Sequence, residues 1–303
     1  MTPPLLGAVE AGGTKINCAI GQRGAAPLLS QQFPTTAPDE TLGRITQFFR
    51  EAQATHGPVA AFGVASFGPI ELDHRSPQWG RLLATPKVGW AGADMAGPLL
   101  REFGRPVAVD TDVNAAALAE SRHAPDGPLD SLTYITVGTG IGGGAVIGGR
   151  PFRGLLHSEM GHIAVSRAPT DHAFTGVCPF HGDCIEGLAS GPAVVRRWGA
   201  KLAELPDDHE AWPLLGDYLG QLAAAIALML SSERIVMGGG VMSDGRLLPH
   251  VRIAAARRLN AYLRPERLGD LSSYIVAPAL GEHSGIAGAF ELAADIAASP
   301  SAN

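Results

Sequence analysis

One pattern occurs twice in the chain and constrains the fold more than any other feature. An apolar run, a glycine turn carrying threonine and a returning apolar run are found around Gly12-Gly13-Thr14 and again around Gly138-Thr139-Gly140. A glycine turn between two apolar runs is a β-hairpin signal. The copies stand about 125 residues apart, too far for a solenoid repeat, and point to a duplicated architecture of two related domains. A chain of 303 residues has room for both. Glycine makes up 39 of those residues, about 13% against a usual ~7%. No G-x-y period runs through them, so the excess belongs to turns and not to a collagen-like helix.

Strands and helices alternate around these turns, which gives an α/β class. The first hairpin covers Leu5 to Gly24. Helical composition follows over Glu40 to Ala54, then a buried strand from Val59 to Ala65 that ends in Phe67-Gly68-Pro69. Gly97 to Phe103 reads as helix, Val107 to Asp110 as strand and Ala115 to Ser121 as an alanine-rich helix. The loop chemistry of Ala124-Pro125-Asp126-Gly127-Pro128 sets a boundary, giving a smaller domain at 1–122 and a larger one at 123–303. In the second domain Leu132 to Val137 is a strand, Gly138 to Gly144 a glycine turn and Ala145 to Ile147 the returning strand. Helices are expected over Tyr218 to Ser232, Val251 to Leu263 and Ser284 to Ala298, and strands over Arg234 to Met237 and Tyr274 to Ala277. The last helix is free to pack back on the first domain.

Composition removes several function classes. Hydrophobic residues make up 46% and charged residues 17%, enough for a large core and too apolar for a disordered chain. The formal net charge of -6 lacks the basic footprint that nucleic-acid binding needs. Met1 to Gly13 has no basic n-region and carries Glu10 early, unlike a signal peptide. The most apolar helical stretch, Leu222 to Leu230, is too short to span a bilayer. Three cysteines do not make a disulfide framework. A cytoplasmic protein without membrane or nucleic-acid partners is the expectation.

Glycine turns expose backbone N–H groups in a concave arrangement that binds anions, phosphate above all. Thr14 adds a hydroxyl donor and Lys15 a positive charge. A single such turn reads as a tight hairpin and no more. Two in matched positions, with a third cluster at Gly238-Gly239-Gly240, suggest a nucleoside triphosphate held by both hairpins with its base near the third. There is no G-x-x-x-x-G-K-[ST] P-loop, and Gly138-x-Gly140-x-Gly142 has neither the spacing nor the following helix of a Rossmann site.

Asp110, Asp112 and Asn114 follow a short strand at i, i+2 and i+4, which starts their side chains on one face if the strand continues. They suit proton transfer, or else an aspartate merely caps the alanine-rich helix. His162, Cys178, His181 and Cys184 form H-x15-C-x2-H-x2-C. Four nitrogen and sulfur ligands suit a closed tetrahedral Zn2+ site, structural because no position is left for water. Cys18 reads as a core residue; His157 and His172 do not fit the metal spacing. Gly68 and Pro69 are placed to line a ligand cleft. Trp79 and Trp90 are expected to pack the smaller domain.

Four motifs in order, Glu10-Ala11-Gly12-Gly13-Thr14-Lys15, Asp112-Val113-Asn114-Ala115-Ala116, Gly138-Thr139-Gly140-Ile141-Gly142-Gly143-Gly144 and Glu159-Met160-Gly161-His162, resemble those of the ROK family of sugar kinases and repressors. The resemblance runs from residue 5 to about 290. It implies an actin-like ATPase (ribonuclease H-like) fold, two α/β domains with the active site in the cleft between them. It places the general base at Asp112 and sugar contacts at Asn114, Glu159 and Glu186, with Gly68 and Pro69 on the sugar side. It places the nucleotide phosphates on Gly12, Gly13, Thr14 and Lys15 and on Gly138, Thr139 and Gly140, and the adenine beside Gly191, Pro192, Gly239 and Gly240. Glu10, where many relatives carry aspartate, is expected at the Mg2+ that accompanies ATP. The zinc ligands His162, Cys178, His181 and Cys184 agree with the family, although relatives often carry cysteine at the position of His181. Thr85-Pro86-Lys87-x-Gly89-Trp90 and Cys178-Pro179-x-His181-Gly182-x-Cys184 are most similar to the bacterial fructokinases. The implied activity is ATP-dependent phosphorylation of D-fructose to fructose 6-phosphate by a homodimer. The alternatives are another hexose or N-acetylhexosamine kinase, such as a glucokinase or mannokinase, and a non-catalytic sugar sensor. The family's repressors carry an N-terminal helix-turn-helix, for which the first turn, beginning at residue 10, leaves no room.

Overall fold

The computed structural model describes residues 3–263 and 265–299; residues 1–2, 264 and 300–303 lie outside the described residues. The chain divides into two compact units. One runs from the N-terminus through Ala119 and takes in Pro151–His157 and the C-terminal segment from His283; the other holds Glu120–Arg150 and Ser158–Glu282.

The first unit contains β1 (Leu6–Ala11), β2 (Lys15–Gly21), β3 (Leu29–Pro34), α1 (Pro38–His56), β4 (Phe62–Ser66), α2 (Gly97–Phe103), β5 (Val107–Thr111) and the start of α3 (Asp112–Arg122). Its sheet has the order β3-β2-β1-β4-β5. β1, β2 and β3 are antiparallel neighbours, while β4 and β5 run parallel to β1. Alternation along β4 divides its side chains between two faces. Phe62 meets Phe49 of α1 edge-on, with ring centroids 4.9 Å apart. Gly63, its neighbour in sequence, is where the C-terminal helix presses in, and a Cβ there would collide with the Ala289 carbonyl.

The second unit contains β6 (Leu132–Val137), β7 (Ile141–Ile147), β8 (Arg150–Pro151), α4 (Ile185–Ala189), α5 (Gly191–Trp198), α6 (Ala211–Leu230), β9 (Arg234–Gly238), α7 (Leu247–Leu259), α8 (Pro265–Leu268) and β10 (Ile275–Val276). The closing helix α9 (Ser284–Ala298) returns to the first unit, where it packs on β1, β4 and β5. The second sheet has the order β10-β9-β6-β7-β8. Read from the opposite edge it repeats the first sheet strand for strand: a hairpin at the centre, an edge strand beyond it, and two parallel strands on the other side. The duplication seen in the turns is therefore a duplication of sheets.

Several elements differ from the sequence reading. β3 gives no strand signal because Ser30, Gln31 and Gln32 make it an exposed polar edge in place of apolar alternation. Of the glycine run 138–144 only Gly138 to Gly140 form the turn. Gly142, Gly143 and Gly144 are strand residues opposite Thr136, Ile135 and Tyr134, and a Cβ on Gly143 would lie 2.7 Å from the Met160 sulfur. α6 starts seven residues before Tyr218. At 20 residues it is long and apolar enough by composition to cross a membrane, yet 56% of its most apolar window is buried inside the protein, packed on α7 as a core helix. Gly216 and Gly220 make that packing close: a Cβ on Gly220 would stand 2.5 Å from Ala254 Cβ. Trp90 and Cys18 are buried core residues.

Candidate active site

In the first unit, the end of β5 and the start of α3 bring the candidate acid–base residues together. The strand does not continue through the i, i+2, i+4 series of Asp110, Asp112 and Asn114: it ends at Thr111, and Asp112 is the first residue of α3. The cause is a helix cap. Thr111 Oγ1 accepts the Asn114 N–H at 3.1 Å, the bond an N-cap side chain makes to the third helical residue. The cap is thus neither Asp110 nor Asp112. Asp112, half-buried in the first turn of α3, accepts the Val113 N–H at 2.9 Å. A carboxylate there is favoured by the unpaired amides of a helix start.

Asp110 is fully buried. It accepts the Asn114 Nδ2–H at 2.9 Å and is paired with Arg153, whose Nη2 lies 2.7 Å from Oδ2. Arg153 also donates to the Val109 carbonyl, so one guanidinium fixes the end of β5. Asn114, the candidate sugar contact, is itself buried and donates to Phe152 O at 3.4 Å as well. Gly68 and Pro69 follow β4 through a cis peptide. His157 seats against them: its Nε2 accepts the Ile70 N–H at 3.1 Å, and a Cβ on Gly68 would lie 3.2 Å from its ring. Nothing in the sequence marks Arg153 or His157 for these positions.

The first glycine turn joins β1 to β2. The Gly12 N–H donates to Lys15 O at 2.9 Å. Thr35 fastens the turn from β3's end, its hydroxyl donating to Gly12 O at 2.8 Å and its N–H to Thr14 O at 3.0 Å. Gly13, Thr14 and Lys15 are exposed. Beside them Glu10 accepts from Asn17 Nδ2 at 2.8 Å, and Gln32 Nε2 donates to Asn17 Oδ1 at 2.7 Å, so three adjacent strands orient one carboxylate. Burial raises the Glu10 pKa above the ordinary value, against the lowering effect of the Asn17 hydrogen bond and Lys15. Gly285 of α9 leaves room for this carboxylate, since a Cβ there would collide with it. A half-buried carboxylate beside an exposed phosphate-type turn is a fitting ligand for a divalent cation, which would repay its desolvation.

In the second unit the turn from β6 to β7 is enclosed by the other candidates. The Gly138 N–H donates to Gly140 O at 2.8 Å, and the Gly191 N–H, from the start of α5, donates to Gly138 O at 2.7 Å. Pro192 follows in the first turn of α5. Glu186 of α4 accepts the Ile141 N–H through Oε2 at 2.9 Å, and a Cβ on Gly140 would stand 2.6 Å from the same oxygen. Gly239, with φ of +92°, lies against the backbone of Val137, where a Cβ would come within 2.5 Å of the carbonyl oxygen; Gly240 is next to it, near Gly138. Thr139 is exposed. Glu159, also exposed, directly precedes the 3-10 turn Met160–His162.

The four donors His162, Cys178, His181 and Cys184 converge, all within 4.8 Å of one another. Cys178 Sγ is 3.7 Å from His162 Nδ1 and 3.7 Å from His181 Nδ1, and Cys184 Sγ is 3.5 Å from His162 Nδ1. A tetrahedron with ordinary Zn–S and Zn–N bond lengths has sulfur–nitrogen edges of about 3.6 Å. The donor set and its spacing therefore fit zinc. Burial and the neighbouring Cys178 push the Cys184 thiol up to about 11, and a bound cation would reverse that by holding the thiolate. His157 and His172 stand outside the cluster. Glu159 is three residues before His162, and Glu186 two after Cys184, so both candidate sugar carboxylates adjoin the cluster in the chain.

The ROK family model matches residues 6–296. The chain belongs to the ROK family. Among this ROK protein's relatives, the fructokinase of Zymomonas mobilis subsp. mobilis is 44% identical over 292 residues, which covers 95% of this chain and 96% of that one. The fructokinase of Pediococcus pentosaceus is 40% identical over 289 residues, 95% of this chain and 97% of that one. Among solved structures, a ROK family glucokinase from Streptomyces griseus in complex with glucose and AMPPNP superposes with a TM-score of 0.75 at 27% identity, covering 96% of this chain and 99% of that chain. The two-sheet α/β architecture of this ROK chain is that of the actin-like sugar kinases.

Proposed function

We propose that the protein is an ATP-dependent fructokinase that transfers the terminal phosphoryl group of ATP to the 6-hydroxyl of D-fructose. The observation that carries this reading is the full-length likeness to relatives named fructokinase, at 37–44% identity. The chemistry draws on both units. The first supplies Asp112, the turn Gly12-Gly13-Thr14-Lys15 and Glu10. The second supplies Gly138-Thr139-Gly140, Glu159, Glu186, and Gly191, Pro192, Gly239 and Gly240 on the adenine side.

Asp112 takes the proton of the 6-hydroxyl as that oxygen bonds to the γ-phosphorus and the bond to the ADP oxygen breaks; the products are fructose 6-phosphate, ADP and a proton held first on Asp112. Thr111 supports this role by capping α3, so the helix start does not depend on Asp112 as its cap. Asn114, Gly68 and Pro69 shape the sugar side, with Arg153 and His157 holding them in place. The amides of the two turns bind phosphate oxygens. Magnesium, held by Glu10 directly or through water, offsets phosphate charge when bound. His162, Cys178, His181 and Cys184 would hold a structural zinc ion, which would fix the segments bearing Glu159 and Glu186. The working place is the cytoplasm and the assembly a homodimer, which light scattering tests.

A coupled ADP-release assay with MgATP, comparing fructose, glucose, mannose and N-acetylglucosamine, tests the reaction. Fructose is expected to give the highest kcat/KM. Better turnover of another sugar would keep the kinase and replace the substrate, and no turnover of any sugar by zinc-loaded protein would favour a sensor.

A further inference from the structure

We propose that Lys87 is a phosphate-contacting residue of the transfer reaction, its ammonium group meeting the terminal phosphate of the nucleotide at the first glycine turn. The proposal rests on the kinase reading above. Lys87 lies in the segment between β4 and α2, yet its Nζ donates to Gly13 O at 2.6 Å. That segment is anchored. Trp90 is buried, its Nε1 donates to Thr36 O at 3.0 Å, and its ring meets Phe67 edge-on with centroids 5.3 Å apart. The Trp90 N–H closes a turn onto Lys87 O at 3.2 Å, and Thr85 Oγ1 accepts the Lys87 N–H at 3.3 Å. Thr36 adjoins Thr35, the residue that fastens the glycine turn. The lysine and the turn are thus mounted on one support.

The chemistry of the contact points to an anion. Among the described residues, the acceptor for this ammonium is a neutral carbonyl, and no ion pair claims it. An ammonium carries three donors, and the contact to Gly13 uses one. A carbonyl at an amide cradle presents the wrong end of its dipole to a phosphate; the ammonium covers that end and makes the edge of the turn positive. Together with Lys15 the turn then carries two cationic side chains. The terminal phosphate is the one indicated because the same segment is tied to the sugar side: the Leu83 N–H donates to Pro69 O at 2.7 Å. The segment that bears Lys87 thus touches both the sugar-side peptide, through Leu83, and the phosphate turn, through Lys87 itself, which suits the lysine to the phosphate in transfer. It moves no proton. Its charge stabilises the oxygens of the phosphoryl group while the bond to the sugar oxygen forms and the bond to ADP breaks.

The test uses the full chain with Lys87→Met, Lys87→Gln and Lys87→Arg. Sugar-dependent ADP release gives kcat and KM, calorimetry gives affinities for MgATP and MgADP, and thermal melting reports folding. Lys87→Met is expected to lower kcat by about 10²–10³-fold and to weaken MgATP about tenfold more than MgADP, with Tm near that of the parent. Lys87→Gln keeps a donor for Gly13 O without the charge and is expected to be as poor as Lys87→Met, whereas Lys87→Arg recovers part of the rate. Parent-like turnover by Lys87→Gln would show a structural tie and overturn the proposal, as would equal loss of MgATP and MgADP affinity in Lys87→Met. If the parent protein phosphorylates none of the sugars, the substrate reading falls by itself, and calorimetry then decides on Lys87: loss of the ATP-over-ADP preference in Lys87→Met sustains it, and retention overturns it.

Discussion

The turn at Gly12-Gly13-Thr14 and the turn at Gly138-Thr139-Gly140 join equivalent strands of equivalent sheets, and different neighbours hold them. Ala11 pairs with Ile16, whereas Val137 pairs with Ile141, so the first turn spans Gly12 to Lys15 and the second only Gly138 to Gly140. The longer turn gains a lysine at its end and a second one, Lys87, on its carbonyl. The shorter turn is closed by a backbone amide, Gly191 N–H on Gly138 O, and by a carboxylate, Glu186, on the Ile141 N–H. One backbone device, used twice, has been given charge in one unit and shape in the other. Under the proposed function, cations on flexible stems suit a phosphoryl group that moves, and a carboxylate with a packed helix start suits a fixed outline.

The largest expected effect falls on the charged side of this comparison. Replacing Asp112 with Asn removes the proposed base while leaving the Thr111 cap intact, so folding should hardly change. kcat should fall by about 10²–10⁴-fold, the usual worth of a positioned general base, with little change in sugar KM. Near-normal turnover by Asp112→Asn, measured in the ADP-release assay, would remove Asp112 from the mechanism and with it the division of labour between the units.

Removing zinc tests the shape-holding side. Chelation, or Cys184→Ser, should abolish a metal content of about one zinc per chain and lower Tm by roughly 5–10 °C, the shift that about 2–3 kcal/mol makes in a domain of this size. Hydrogen exchange should quicken over 159–191 and stay slow over β1 and β2. Uniform loss of protection in both units would mean that the cluster stabilises the whole chain and has no special hold on Glu159 and Glu186.

How much of this was legible in the sequence depends on the range of the contact. The hairpins are readable because glycine and apolar alternation act over neighbouring residues, and the four zinc-type donors because two x2 spacings force three of them into one loop. α3 starts three residues before the expected Ala115: a strand extrapolated past Asp110 looks the same as a helix capped by Thr111 until the cap bond is seen. Thr35, Arg153 and His157 carry no such signal, since each acts on residues 21 or more positions away, through contacts that only the folded sheets create. Lys87 stands out as part of the Thr85-Pro86-Lys87-x-Gly89-Trp90 motif, but its bond to Gly13, 74 positions away, is just as invisible. Glu186 is legible as a candidate sugar contact, but its bond to Ile141 in the turn is invisible for the same reason.

A sharper form of the comparison uses one methyl group. A Cβ on Gly13 would meet nothing within 4 Å, whereas a Cβ on Gly140 would lie 2.6 Å from Glu186 Oε2. Gly13→Ala should therefore leave stability unchanged. Gly140→Ala must displace the Glu186 carboxylate from the Ile141 N–H and should cost about 1–3 kcal/mol, the range for a partly buried hydrogen bond left unmade, read as a lower urea midpoint. Equal midpoints would show that the second turn is as open as the first.

The smallest effect concerns the carboxylate beside the charged turn. Burial raises the Glu10 pKa above its ordinary 4.5, so the folded chain holds this proton more tightly than the unfolded one. Stability from this group is then present below the unfolded pKa and is lost as pH rises through the folded one, leaving a penalty at neutral pH. Glu10→Gln keeps an acceptor for Asn17 Nδ2 and carries no charge. In metal-free protein the variant should therefore melt slightly higher than the parent at pH 7 and show a flatter decline in stability above pH 4.5. Magnesium with ATP should reverse the order, because a cation rewards the ionised carboxylate and not the amide. Identical melting profiles for the two proteins, with and without MgATP, would mean that Glu10 meets neither a desolvation penalty nor a metal, and the charge at the first turn would then belong to Lys15 and Lys87 alone.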